Sequence, residues 1–281
     1  MCLSLITLAI LLASSINLAI NSLDCFASSS SLHFAPVASK LIVYQAFPYG
    51  CIGYGARIDI TQSSSGSSFA KGLAMSLDVP LIEVNHMQAH ILAHFIKDDD
   101  AKIPPFPFIC LTISGGHTQI VKVSSYFEMD VLGETVDDAV GEAYDKSGKV
   151  LGLGYPAGPE IDRRAQLGNP KAYQFTKPKV NGLNFSFSGL KTNILYFVQR
   201  EVKANPNFIE ENLNDICASI QYTIIGILMA KLKLAVKQTG IKHIAIGGGV
   251  SANSELRKRM TKLGEERNWD IFITNSMYRK S

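Results

Sequence analysis

Residues 108–123 constrain the fold of this chain more than any other stretch. Two apolar runs, 108–113 (FICLTI) and 118–123 (TQIVKV), flank Ser114-Gly115-Gly116-His117. Short runs of this kind around a glycine turn read as a strand and its return strand. Further on, 243–246 is a third apolar run, followed by Gly247-Gly248-Gly249 and a helix expected to start near Ser251 or Asn253. Between these strands lie helical patterns over 136–151 and 212–239, with Gly240 as the expected stop of the second. The segment from Phe185 to Lys191 feeds a further helix. Strands, hairpins and helices therefore mix, and the class is α/β.

Upstream, a helix is expected over 69–77, a short strand over 81–84 and a helix over 86–95. Pro80 separates the first two, and a Ser/Gly stretch over 63–68 precedes them. Asp98 to Asp100 with Pro104, Pro105 and Pro107 form a polar, stiff linker. The expected organisation is an unassigned segment over 1–57, a first part over 58–107 and a second over 108–281.

Residues 3–20 are apolar but diluted by Ser, Thr and Asn, and the first basic residue is Lys40. A secretory signal needs a positive start and a transit peptide needs arginines. A weak signal or anchor, a core element, and a non-native start all remain open for this stretch. From Lys40 onward no run has the roughly 18 uninterrupted apolar residues of a membrane span. Hydrophobic residues are 47% and charged residues 18% of the 281, which excludes global disorder. The net charge of +3 does not by itself identify a nucleic-acid partner. Charge is uneven, however: 128–162 sums to −7 and 228–281 to +7. The basic stretch is either a set of solvated helix faces or a surface for phosphate contacts. Five scattered cysteines lack metal-finger or redox spacing, which points to free thiols in a reducing compartment.

Four features carry chemistry. His86 and His90, four apart, share one helix face, which suits two ligands of one metal ion or two ordinary helical histidines. His94 continues that face. A zinc protease would carry Glu after the first histidine; Met87 stands there, so that chemistry is not supported. The 112–117 segment is either a plain hairpin turn or a backbone cradle for an anion. Asp145 is either a solvated helical carboxylate or a ribose acceptor. The 247–253 loop, between strand and helix, is a setting for close approach to a nucleotide.

Taken together, VNHMQAH (84–90), TISGGHTQI (112–120), GETVDDAVGEAYDKSGKVLGLGYPAGP (133–159), FSFSGLKTN (185–193) and GGGVSANSELR (247–257) resemble one family. It is the tRNA threonylcarbamoyl-adenosine transferases, once labelled O-sialoglycoprotein endopeptidases, and the resemblance runs from about Phe69 to about Ile273. It implies an actin/Hsp70/sugar-kinase-like fold of two RNase-H-like lobes, the first incomplete here. It implies transfer of threonylcarbamoyl from threonylcarbamoyl-AMP to N6 of the adenosine beside the anticodon of tRNA. By the same resemblance His86 and His90 would bind iron or zinc. Thr112, Ile113, Ser114, Gly115 and Gly116, with His117 adjoining, would form the substrate loop. Asp145, Gly158, Asp162 and Asn253 would bind the adenylate, with ATP as a nucleotide ligand. His94 has no counterpart in the motif. Implied partners are tRNA and either accessory subunits or a second copy. The implied location is the cytoplasm, or an organelle matrix if the N-terminal stretch is a targeting segment.

The chain departs from the family pattern in three places. Residues 1–57 contain no match to the family's opening strand–turn–strand. A Gly/Pro-rich loop is missing between Gln62 and Gly66. Residues 275–281 are unlike the family, and its Thr-Asp-Asn segment, whose Asp is the third metal ligand, has no counterpart. The expectation is a chain truncated at both ends. Its first lobe would have unpaired strand edges, and solubility, metal retention and transfer would all be poor. A non-catalytic relative that binds tRNA or partner subunits is the alternative.

Overall fold

The computed structural model describes residues 42–46, 51–52, 63–78, 80–96 and 102–273. The apolar stretch 3–20 and the chain end 275–281 lie outside the described residues. The chain divides into two compact units, Met1–Asp98 and Asp99–Ser281.

In the first unit, β1 (Ile42–Ala46), β2 (Cys51–Ile52) and β3 (Leu81–Asn85) form a sheet of order β2-β1-β3. β1 runs parallel to β3 over five residue pairs, Ile42 with Leu81 through Ala46 with Asn85. Unassigned residues 1–57 thus supply two strands, and β3, expected to have unpaired edges, has one covered by β1. Helix α1 (Ser63–Ser76) begins six residues before the expected Phe69, inside the Ser/Gly stretch. Helix α2 (His86–Leu92) follows β3 directly and passes into a 3-10 turn, Ala93–Phe95. Asn85 makes the strand-to-helix change abrupt, because its Oδ1 accepts from the Met87 and Gln88 N–H groups at 3.0 and 3.1 Å.

The second unit is a five-stranded sheet of order β6-β5-β4-β7-β8. Strands β4 (Phe108–Ile113), β5 (Thr118–Val123) and β6 (Met129–Glu134) make an antiparallel meander. Strands β7 (His243–Gly247) and β8 (Asp270–Ile273) then add in parallel beside β4. β4 and β5 have the bounds that their sequence pattern predicts; β6 and β8 carried no such signal. β4 lies in the middle, and all six of its residues are buried. Ile109, Leu111 and Ile113 share one core with Ile244, Ile246 and with residues from every helix of this unit. These helices are α3 (Val140–Val150), α4 (Gly158–Ala165), α5 (Ser188–Ala204), α6 (Phe208–Thr239) and α7 (Ser254–Arg267).

Helix α6 is 32 residues long and starts at Phe208, four residues earlier than the apolar stripe indicates. Glu210 and Glu211 in its first turn complement the positive end of the helix dipole. Gly240 ends it at φ 72°, as its type predicts. Among the described residues α6 is also the one helix long and apolar enough to cross a membrane, but 61% of its apolar window is buried in the core. Helix α3 starts at Val140 rather than Val136, because 135–138 are held elsewhere. Val136 N–H donates to the Phe185 carbonyl at 3.0 Å, and Thr135 Oγ1 donates to the Asp138 carbonyl at 2.6 Å. Asp137 accepts from Ser186 Oγ, Ser188 Oγ and the Phe187 and Ser188 N–H groups, and so caps α5 from 50 residues away.

Two glycines let separate elements close on the carboxyl end of β4. A Cβ on Gly141, in the first turn of α3, would stand 2.6 Å from Gly115 Cα and 2.9 Å from the Ser114 carbonyl oxygen. Gly248, just after β7, has φ 87°, and a Cβ there would stand 2.3 Å from the Ile113 carbonyl oxygen. Replacing Gly141 with Ala is expected to push α3 off the Ser114–Gly115 backbone and cost about 1–3 kcal/mol, read as a lower denaturant midpoint with unchanged slope. Partial burial opposes ionisation of Asp137, but the four hydrogen bonds outweigh it and hold its carboxyl below the ordinary value. Its contribution is therefore complete above the unfolded carboxylate value and lost as pH falls through the lower folded one. Asp137→Ala is expected to cost about 1 kcal/mol at pH 7. That difference should shrink as the pH drops below about 4 in parallel unfolding curves.

Candidate functional site

In the first unit, His86 and His90 lie on the same side of α2, one turn apart. Their Nε2 atoms are 3.2 Å apart and their ring centroids 4.4 Å apart, at 66°. His86 is 8% exposed and His90 half-buried. Two nitrogens at about 2.0–2.1 Å from one ion would be separated by about this distance. His94 is buried in the 3-10 turn that ends α2, where the 3.6-residue repeat stops. Among the described residues no three His, Cys, Asp or Glu side chains gather at one point.

In the second unit, the remaining site residues come from four chain segments. Thr112 and Ile113 are the buried end of β4, and Thr112 Oγ1 lies 3.7 Å from Cys110 Sγ. Burial pushes the Cys110 thiol up to about 12, a non-reactive state, with the Thr112 bond acting weakly against it. The turn over 114–117 closes on itself: Ser114 N–H donates to the His117 carbonyl at 2.8 Å, and His117 N–H to Ser114 Oγ at 3.1 Å. Gly115 and Gly116 are exposed, and a Cβ on either would meet open space. The turn is thus braced from within the protein by Gly141 and Gly248 and bare on its outer side. Thr118 Oγ1 accepts from Val140 N–H at 2.9 Å, which pins the start of α3 beside it.

Asp145 lies on α3, one turn beyond Gly141. Its Oδ1 accepts from Ala157 N–H at 2.8 Å. Gly148 makes this crossing possible, since a Cβ there would stand 2.2 Å from Ala157 Cβ. The chain between α3 and α4 is thereby laid across α3, and Gly158 comes to rest over Tyr144. Asp162, one turn further along α4, takes three hydrogen bonds. Oδ1 accepts from Gln221 Nε2 at 3.1 Å and Ser254 Oγ at 2.8 Å, and Oδ2 from Ser254 N–H at 2.9 Å. Asn253 caps α7, its Oδ1 accepting from Leu256 N–H at 3.0 Å, while its Nδ2 donates to Gln221 Oε1 at 2.7 Å. Asp145 with Gly158, and Asp162 with Asn253, are therefore adjacent pairs. The 114–117 turn joins them through α3 and Gly248.

Gln221 and Ser254 were not among the candidate residues. Ser254 is an ordinary first residue of a helix. Gln221 is a polar side chain in the middle of the apolar stripe of α6, and that mismatch was the one available signal.

The acidic stretch resolves into ion pairs and caps. Asp130 pairs with Lys122, Asp138 and Glu142 with Lys146, and Glu160 with Arg163 and Arg164. The bonds from Arg163, and then Arg164, hold Glu160 at about 2. In the basic stretch Arg259 pairs with Glu255 and Lys262 with Glu266. Lys233, Lys237 and Arg267 line a groove of about 520 Å³ with Trp269 and Leu234, and no carboxylate is in its lining.

Comparison with known proteins follows the same motifs. A sequence model described as tRNA N6-adenosine threonylcarbamoyltransferase matches residues 64–281. The match thus extends past Ile273 to the end of the chain. Proteins named tRNA N6-adenosine threonylcarbamoyltransferase from Christiangramia forsetii and Riemerella anatipestifer are 65% and 58% identical over 213 residues. These matches cover 76% of this chain and 63% and 62% of those proteins, so the chain spans about three-fifths of the length of these relatives. Among solved structures, full-length HypF in its phosphate- and nucleotide-bound form aligns with TM-score 0.55 at 14% identity, covering 86% of this chain and 37% of that one. At that identity the likeness concerns the fold alone, which is of the actin/Hsp70/sugar-kinase type. The chain belongs to the tRNA N6-adenosine threonylcarbamoyltransferase family.

Proposed function

We propose that this chain transfers the threonylcarbamoyl group from threonylcarbamoyl-AMP to N6 of the adenosine adjacent to the anticodon in tRNA. The observation that carries the proposal is the turn over 114–117. Its glycines face open space, while α3 and the 247–253 loop brace it from beneath. Exposed backbone N–H groups beside the start of α3 suit the phosphate of an adenylate, whose release as AMP leaves negative charge there. Asp145 has one carboxylate oxygen committed to Ala157, and Oδ2 makes no hydrogen bond among the described residues. That oxygen is suited to a ribose hydroxyl. Gly158, Asp162 and Asn253 would hold the rest of the donor. The N6 amine is a weak nucleophile, so holding donor and acceptor in register would supply much of the rate.

His86 and His90 would hold one iron or zinc ion, as their 3.2 Å separation allows. Such an ion would supply Lewis-acid chemistry. The tRNA is the acceptor in this reading, and the groove of Lys233, Lys237 and Arg267 is a surface for its phosphates. Accessory subunits or a second copy of the chain, and a cytoplasmic location, complete the proposal.

The direct test is transfer of labelled threonylcarbamoyl to unmodified tRNA with those partners present; no product above the enzyme-free control would refute the assignment. Asp145→Asn keeps an acceptor for Ala157 N–H but replaces the second carboxylate oxygen with an N–H donor and removes the charge. It is expected to weaken ATP binding about tenfold, or about 1.4 kcal/mol, with little change in melting temperature. His86→Ala and His90→Ala are each expected to reduce bound iron or zinc to a small fraction, measured by elemental analysis of the purified chain. Lys233→Glu and Lys237→Glu should each weaken tRNA binding and lower its salt slope by about one, with ATP affinity unchanged.

A further inference from the structure

A single buried amide links two of the proposed donor-binding residues. Gln221 is 3% exposed, on a helix where Ala218, Ser219, Ile220, Thr223 and Ile224 around it are also buried. Its Nε2 donates to Asp162 Oδ1 at 3.1 Å, and its Oε1 accepts from Asn253 Nδ2 at 2.7 Å. Asn253 Oδ1 in turn accepts from Leu256 N–H at 3.0 Å. Both ends of this chain of bonds have a fixed sense, because a backbone N–H only donates and a carboxylate only accepts. Neither amide can therefore turn over without losing bonds in a buried setting.

We propose that Gln221 is a positioning residue of the adenylate site, setting the orientation of both the Asp162 carboxylate and the Asn253 amide. The inference rests on the reading that Asp162 and Asn253 bind the donor. With the direction of the chain set, Asn253 Nδ2 keeps one N–H beyond the bond to Gln221 and Asp162 Oδ2 keeps acceptor capacity beyond the bond to Ser254. The site then presents a donor from the start of α7 and an acceptor from within α4 in a constant arrangement. Helix α6 is suited to this task because its position is set by the core and not by either loop.

The test uses two variants of the full chain and ATP as the probe. Gln221→Leu removes both bonds and should weaken ATP binding by roughly tenfold or more at any pH. Gln221→Glu is isosteric and responds to pH. Near this position lie Asp162 and, by their influence on neighbouring groups, Glu160 and Arg164 on α4, Glu255 and Arg259 on α7, and Tyr144 on α3. An ionised Glu beside the Asp162 carboxylate repels it, and burial adds to the upward push on its pKa. At pH 8 this variant should also bind roughly tenfold or more weakly. At pH 5.5 the protonated side chain can donate to Asp162 and accept from Asn253. Affinity should then return to within about threefold of the wild type at the same pH, while Gln221→Leu stays weak. Unfolding temperatures are read in parallel. A loss for Gln221→Glu that is the same at both pH values would reduce Gln221 to a structural role and overturn the inference. So would wild-type affinity for both variants at pH 8. Failure of the wild-type chain to bind ATP at all would overturn the functional reading, and this inference with it.

Discussion

The second unit depends on β4 being covered on every side. A strand with neighbours on both edges and no exposed residue must send its backbone bonds to β5 and β7 and its side chains into packed surroundings. Its carboxyl end is then the one place where the chain can emerge, and it does so through the turn at 114–117. The rest of the candidate site is arranged around that exit. Gly141 admits the start of α3 and Gly248 admits the loop after β7, both at distances that no side chain would tolerate. The glycines of this region therefore have two separate tasks. Gly141 and Gly248 permit backbone-to-backbone packing, while Gly115 and Gly116 leave the outer surface bare.

Several polar residues in the acidic half of this unit serve as remote caps. Asp137 satisfies the start of α5, Asp162 the start of α7, and Asp145 the segment entering α4. Each helix start presents N–H groups with no partner in the helix itself. An aspartate supplied from another element satisfies them and also ties the two elements together. A residue that binds a ligand and caps a helix is thus constrained twice, and its geometry is set before any ligand arrives.

The histidine pair in the first unit follows a simpler logic. Asn85 turns β3 directly into α2, so His86 occupies the first position of the helix and His90 stands one turn above it. The helical repeat then brings the two imidazoles together.

Local pattern was enough to determine much of this protein. The bounds of β4 and β5, the end of α6 at Gly240, the shared face of His86 and His90 and the succession of glycine turns all follow from interactions within a few residues, which a sequence displays directly. What escaped had partners far along the chain. β6 is a half-exposed edge strand without a strong apolar run, and β8 is a short strand recruited by β7. The first turn expected of α3 is instead a bent, non-helical strap, because its hydrogen bonds go to residues about 50 positions away. Gln221 acquires its partners only when α4 and the start of α7 pack against α6. The family resemblance of the motifs could nominate Asp145, Asp162 and Asn253, since a motif is a local property. Only the tertiary structure could show that the first is tied to the segment entering α4 and that the other two share one buried amide, because those bonds exist only once separate helices have packed.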